Sequence, residues 1–284
     1  MKLINEKGIY RLLMIIALSA ITMLFLIVLF ILKEGLPFIF LTGLSDFLFS
    51  SEWQPALGKF GIFPMIVGSL WVTLGAMLVG VPLGLAGAVF ISEFIPRWAM
   101  KIIKPTIELL AGIPSVVYGF IGVMVLAPLI RNYFGGPGLS IAAASIILGI
   151  MILPTILSIS IDAIKAVPNS YREGAFALGA THWQTIHMVV IPAARSGIVA
   201  GIILGLGRAI GETMAVIMVA GNAVKLPGSA LDSVRTLTAN IALEMGYATG
   251  RHREALFATG VVLLVIIMIL NYAATAAIKK GVKK

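Results

Sequence analysis

The chain has 284 residues, 60% of them hydrophobic and only 12% charged, with a mean hydropathy of +1.06. Soluble chains carry about twice that charged fraction, so a soluble globular domain is excluded. The net charge is +9 with no cysteine, which removes disulfides, thiolate nucleophiles and cysteine metal sites. The basic residues lie between and beyond apolar runs rather than in one patch, a distribution that marks membrane topology and not nucleic-acid binding.

Six runs are long enough to cross a bilayer, which takes roughly 20 apolar residues each. They cover residues 12–32, 62–91, 109–130, 139–161, 196–221 and 255–278. The first follows Lys2, Lys7 and Arg11 but exceeds a signal-peptide core and lacks a small-residue cleavage pattern, so it reads as a retained anchor helix. Gly80-Val-Pro-Leu-Gly84 interrupts the second run and predicts a kink or a split. Pro114 breaks the third near its start, where it either only bends the helix or frees backbone N–H groups that could meet an anion, with Glu108 solvated at the edge of that helix. Only the fifth run contains charges, Arg208 and Glu212.

Six crossings place both termini on one side. Thirteen of the 21 lysines and arginines fall on that side, seven on the other, and Arg208 lies within the fifth run. The basic side marks the cytoplasm, so both termini are expected inside. Two longer loops, 33–61 and 222–254, then face outward. In the second, Val234, Leu237, Ile241 and Met245 recur at helical spacing, which fits either an amphipathic helix on the membrane surface or one laid over the bundle.

The inner loop, 162–195, reads as two capped helices. Ser170-Tyr-Arg-Glu173 matches a capping box opening a helix with Tyr171, Ala175 and Leu178 on one face. Gly179 supplies a left-handed stop, Thr181-His-Trp-Gln184 is a second capping box, and Pro192 ends the element it opens. The three histidines, His182, His187 and His252, lack metal-ligand spacing and read as polar residues at helix ends or in loops; no metal site is expected.

In the fifth run Arg208 and Glu212 stand four apart, neighbours on one continuous helix. An arginine at the bilayer centre costs on the order of 3 kcal/mol, so it must face protein or water. Gly197, Gly201 and Gly205 let a partner helix approach that side closely. Two readings stand: a buried ion pair locking helices together, or a guanidinium on an anion path. In the second, Glu212 holds the fork of donors and moderates binding, and Thr213 adds a hydroxyl.

The run Glu173-Gly174-Ala175, three residues, Gly179, nine residues, then Val189-Val190-Ile191-Pro192 resembles the EAA loop of bacterial ABC importer permeases. Gly174 replaces the family's second alanine, Val189 its isoleucine and Ile191 its leucine. Gly205-Leu-Gly-Arg-Ala-Ile-Gly-Glu-Thr-Met-Ala215, Ile113-Pro-Ser-Val-Val-Tyr-Gly119 and Ile150-Met-Ile-Leu-Pro-Thr155 resemble signatures of the phosphate-specific members, closer to the PstC type than to its PstA-type partner.

The resemblance implies an all-α integral membrane protein with a six-helix, type I importer-like bundle. Residues 1–60 would form an anchor helix and first outer loop, and 61–284 the permease core. It implies inward passage of inorganic phosphate, with Glu173, Gly174, Ala175, Gly179 and Pro192 coupling to a separate ATPase and Arg208, Glu212 and Thr213 on the substrate path. The implied partners are a second, similar permease chain, two ATPase subunits and an external phosphate-binding protein. The sequence has no phosphate-cradling G-x-x-x-x-G-K-[ST] run, so ATP and magnesium would belong to the ATPase and no cofactor to this chain. Sulfate or molybdate transport, and an ion-coupled secondary carrier, are the rival readings; the latter lacks the charged sites in two halves that such carriers show.

Overall fold

The computed structural model describes residues 6–282, with side chains over 8–276 apart from Arg97. Lys2, Lys283 and Lys284, counted above toward the inner side, lie outside the described residues, as do the side chains of Lys7, Lys279 and Lys280.

Among the described residues six helices are long and apolar enough to span a membrane. The first, α1 (Glu6–Thr42), runs well past the apolar stretch and contains Pro37. A short α2 (Leu44–Phe49) and a two-stranded antiparallel hairpin, β1 (Trp53–Gln54) with β2 (Lys59–Phe60), fill the loop between the first two spans. The second span, α3 (Phe63–Glu93), is continuous through Pro82 and is not split. Its Gly80 and Gly84 instead admit Ile152 and Ile156 of α7 (Ile141–Lys165), where any added methyl group would meet the isoleucine side chains at 2.8 Å.

The third run divides. Residues up to Ala111 belong to a separate amphipathic helix, α4 (Arg97–Ala111), which carries Glu108 on its exposed side. The span itself begins after Pro114, which caps α5 (Ser115–Ile121). A π-helical turn, Gly122–Leu126, joins α5 to α6 (Ala127–Phe134). The inner loop contains α8 (Asn169–Ala177) and α9 (His182–Thr185). A second π turn, Ile186–Val190, carries α9 directly into α10 (Ile191–Gly211). Pro192 therefore does not end the element opened at Thr181. It sits in the first turn of α10, and the π turn before it absorbs the missing N–H, so the fifth span starts at His182. Beyond a break come α11 (Met214–Val219), α12 (Leu237–Glu244) and α13 (Gly250–Val282).

Three apolar cores follow one another along α3. Met65 joins Phe38, Phe47, Trp53, Leu237 and Leu256, which binds the end of α1, the hairpin, α12 and α13 together. Val72 and Ala76 join Leu148, Met151, Ala209 and Val216 in the middle core. Ala88 and Ile91 join Ile161, Ile164, Val190 and Ala194 at the end of the bundle next to α8 and α9. Leu237 is buried and α12 packs on α3 and α13, so this helix lies over the bundle rather than on a lipid surface.

Candidate functional site

The glycines of α10 do what their spacing implies. Gly197, Gly201 and Gly205 face Ala163, Ile159 and Ile156 of α7, and a methyl group at Gly205 would stand 3.0 Å from Ile156. The opposite side of α10 is open: Leu204 is 56% exposed, and Gly207 and Gly211 have no atom within 4 Å of where a side chain would begin. Arg208 projects between these faces, half-buried, with Nη2 3.5 Å from the carbonyl oxygen of Ala111 at the end of α4.

The predicted Arg208–Glu212 pair is not formed. Helix α10 stops at Gly211, and Glu212 is extended (φ −68°, ψ 134°), so the i,i+4 geometry is lost. Because Ala209 on one side of the break and Ala215 on the other both belong to the middle core, this irregular backbone sits among the apolar levels of the bundle. Its polar groups must then find partners within the protein. They do so locally. The Glu212 N–H donates to Ala209 O, the Glu212 carboxylate accepts from the N–H of Ala215 at 3.1 Å, and Thr238 Oγ1 donates to the Glu212 carbonyl at 2.9 Å. Thr213 Oγ1 donates to Gly211 O at 3.2 Å. Glu212 thus caps the start of α11, while Arg208 keeps its charge free of any carboxylate within ion-pair distance among the described residues.

In the inner loop one capping box is present and the other is not. Thr181 accepts from the N–H of Gln184, whose side-chain oxygen accepts from the N–H of Thr181. The Ser170 box fails because Pro168 is already the cap and Ser170 lies inside the first turn of α8, from which its hydroxyl cannot reach back. Gly179 adopts φ +83° and donates its N–H to Phe176 O, while the N–H of Ala180 reaches Ala175 O, closing the helix as a left-handed turn. Ala175 turns inward, away from Tyr171 and Leu178, which are 53% and 91% exposed. With Trp183, 62% exposed, they give the loop an outward apolar face; Glu173 and Gly174 lie on the exposed surface of α8. His182 and His252 stand at helix starts as read, but His187 lies inside the continuous helix.

Sequence reasoning missed a third cluster, at the end of the bundle that carries the hairpin. Glu244 is buried, with Oε1 accepting from Arg235 Nη1 at 2.6 Å and Oε2 from Trp53 Nε1 at 2.9 Å; His252 Nε2 lies 2.8 Å from Oε2. Arg235 also bonds Asn240 Oδ1 and the Asn222 carbonyl, at the residue where φ is +55°. One carboxylate thereby holds the hairpin, α12 and the start of α13. No group of three or more metal-ligating side chains is present among the described residues.

Comparison with known proteins bears on the family and the fold. A family model described as "Binding-protein-dependent transport system inner membrane component" matches residues 80–284. The chain is 46% identical over 272 residues to the "Probable ABC transporter permease protein YqgH" of Bacillus subtilis (strain 168), covering 92% of this chain and 86% of that one. It is 40% identical over 246 residues to the "Phosphate transport system permease protein PstC" of Xylella fastidiosa (strain 9a5c), covering 80% and 76%. Among solved structures, a bacterial alginate ABC transporter in complex with its pentasaccharide-bound periplasmic protein matches with TM-score 0.63, 18% identity and 98% coverage of each chain. The inward-facing MetNI methionine ABC transporter matches with TM-score 0.57 and 19% identity, over 81% of this chain and 99% of that one. At such identities these structures speak for the fold.

Proposed function

The chain belongs to the family of binding-protein-dependent transport system inner membrane components, and from that premise we propose that it is the permease subunit of an ATP-driven importer that carries inorganic phosphate into the cell. The observation that carries the substrate reading is Arg208, a fixed cation level with the middle core, on the edge of the open face of α10 and without a neutralising carboxylate among the described residues. A guanidinium offers a planar fork of donors suited to a tetrahedral oxyanion. Relatives named as phosphate permeases, at 39–40% identity over about four-fifths of the chain, support phosphate over other oxyanions.

The open face of α10 is closed by a second, similar permease chain, and the path for the anion lies between the two. Thr213, at the helix break, contributes a hydroxyl beside that path, and Glu212 shapes the break. The inner loop from Glu173 through Gly179 to Pro192 docks into a groove on a cytoplasmic ATPase, with Tyr171, Leu178 and Trp183 as its apolar anchors. Two ATPase copies supply the ATP and magnesium chemistry, an external phosphate-binding protein delivers the anion, and both termini face the cytoplasm. This chain binds no cofactor of its own.

The test is uptake of radiolabelled phosphate by cells expressing the chain with its neighbouring transport genes. Uptake should vanish when the ATPase is deleted and should resist excess sulfate or molybdate. Competition by either anion would reassign the substrate, and uptake that survives ATPase loss but collapses with the proton gradient would make it a secondary carrier. Co-purification of an ATPase with the tagged chain tests the docking assignment separately.

A further inference from the structure

Glu93 is the last residue of α3, and its side chain is only 7% exposed. A carboxylate at a helix C-terminus opposes the helix dipole, and burying it adds a desolvation cost, so it does not stand there for the sake of α3. Its partner is on the inner loop. Arg172 of α8, side chain 19% exposed, donates from Nη2 to Glu93 Oε1 at 2.8 Å. The same guanidinium donates to the Ile164 carbonyl at 3.2 Å, in the last turn of α7, and to the Val167 carbonyl at 2.9 Å, two residues beyond its end. His182, the first residue of α9, lies 3.9 Å from the other Glu93 oxygen, with its ring 5.2 Å from that of Phe94. Ser92, Lys165 and Asn169 line the cleft beside the pair.

This geometry divides the inner loop into two outputs. Helix α9 is continuous with α10, so a displacement there reaches the Arg208 helix through the backbone. Helix α8 has no such continuity with α3, and Arg172 bridges it by side chain to the ends of both α3 and α7, the most extensively packed helix pair. We infer that Glu93 and Arg172 are positioning residues that transmit the stroke of the ATPase from α8 into α3 and α7, so that both walls flanking α10 move together. The inference rests on the importer function proposed above.

The experiment uses the complete complex, purified with its ATPase and binding protein and reconstituted into liposomes, with ATP hydrolysis and phosphate import measured together. Glu93→Gln keeps the size of the side chain and an acceptor but removes the charge. It should leave the ATPase bound and hydrolysing, while phosphate imported per ATP falls by at least about tenfold, because breaking a largely buried ion pair costs more than a factor of ten represents. Arg172→Gln, which also gives up the bonds to the Val167 and Ile164 carbonyls, should lose at least as much, and the double variant should be no worse than Arg172→Gln alone, because the Glu93 contact is already gone there. An unchanged import ratio in Glu93→Gln would overturn the inference. Loss of the ATPase from that variant would overturn it equally, since the pair would then only build the docking surface. Should Glu93→Gln fail to assemble, Arg172→Lys carries the test: it retains the charge but cannot span three acceptors, and a wild-type ratio there rejects the transmission role. A wild-type complex that imports no phosphate would instead refute the function proposed above.

Discussion

The guanidinium of Arg208 lies 3.5 Å from the carbonyl oxygen of Ala111, the last residue of α4, and not against Glu212 four positions along its own chain. That relationship leaves a net positive charge beside the open face of α10. A backbone carbonyl orients the fork without cancelling it, which an anion path requires.

Replacing Arg208 therefore removes the charge without breaking an ion pair. Arg208→Gln should insert and assemble normally while phosphate uptake is abolished. Hydrogen bonds to charged groups are worth about 1.5–3 kcal/mol, so at least a ten- to hundredfold loss is expected. Arg208→Lys keeps the charge but not the fork and should fall between. Near-normal uptake by the glutamine variant would remove Arg208 from the path.

Glu212 makes a different prediction once its helix is seen to end. Its carboxylate oxygen caps α11 through the N–H of Ala215, and a carboxamide oxygen can accept the same bond. Glu212→Gln should retain stability and most transport, whereas Glu212→Ala should lose about 1 kcal/mol, the usual cost of a lost cap. Thermal unfolding of the detergent-solubilised complex checks the order. A transport defect in Glu212→Gln at unchanged stability would restore the charge to a direct role.

Gly179 holds φ +83° and donates its N–H to Phe176 O. Proline can neither adopt that angle nor donate, and a misplaced proline costs about 3 kcal/mol or more. Gly179→Pro should break the turn between α8 and α9 and uncouple hydrolysis from uptake. Gly179→Ala, with open space around it, should cost only about 1–2 kcal/mol of left-handed strain and leave the ATPase attached. Co-purification of the ATPase with each variant separates the two outcomes.

What the sequence made legible was local. Six apolar runs, the Thr181 box, the Gly179 stop and the glycine face of α10 each follow from residues a few positions apart. The errors arose where a local pattern met a competing local signal. Pro168 claims the helix start that Ser170 would cap, and a π turn lets Pro192 sit inside a helix that its missing N–H would otherwise end. The pairing of Arg208 with Glu212 assumes one continuous helix, but the chain turns extended there and the Glu212 carbonyl is held by Thr238, 26 residues away. The contact between Trp53 and Glu244 spans 191 residues, and no spacing rule reaches that far.

That long-range contact gives the last prediction. Glu244 is buried and accepts from Arg235 and Trp53, with His252 at 2.8 Å, so the carboxylate is the shared partner of three side chains from three segments. Removing it strands the Arg235 guanidinium, itself only 18% exposed, and breaking such a buried pair costs about 3–5 kcal/mol. Glu244→Leu should therefore lower the unfolding temperature far more than Trp53→Phe, which forfeits one hydrogen bond to a charged group and about 1.5–3 kcal/mol. The two changes should be markedly non-additive, because the tryptophan bond is already gone when the carboxylate is. The consequence extends inward: α12 carries Thr238, whose hydroxyl holds the carbonyl of Glu212 at the helix break. Loosening α12 at its outer end should thus impair uptake even at temperatures where the Glu244→Leu complex remains assembled. Full transport by an assembled but thermally weakened Glu244→Leu variant would confine this cluster to stability and detach it from the break beside Arg208.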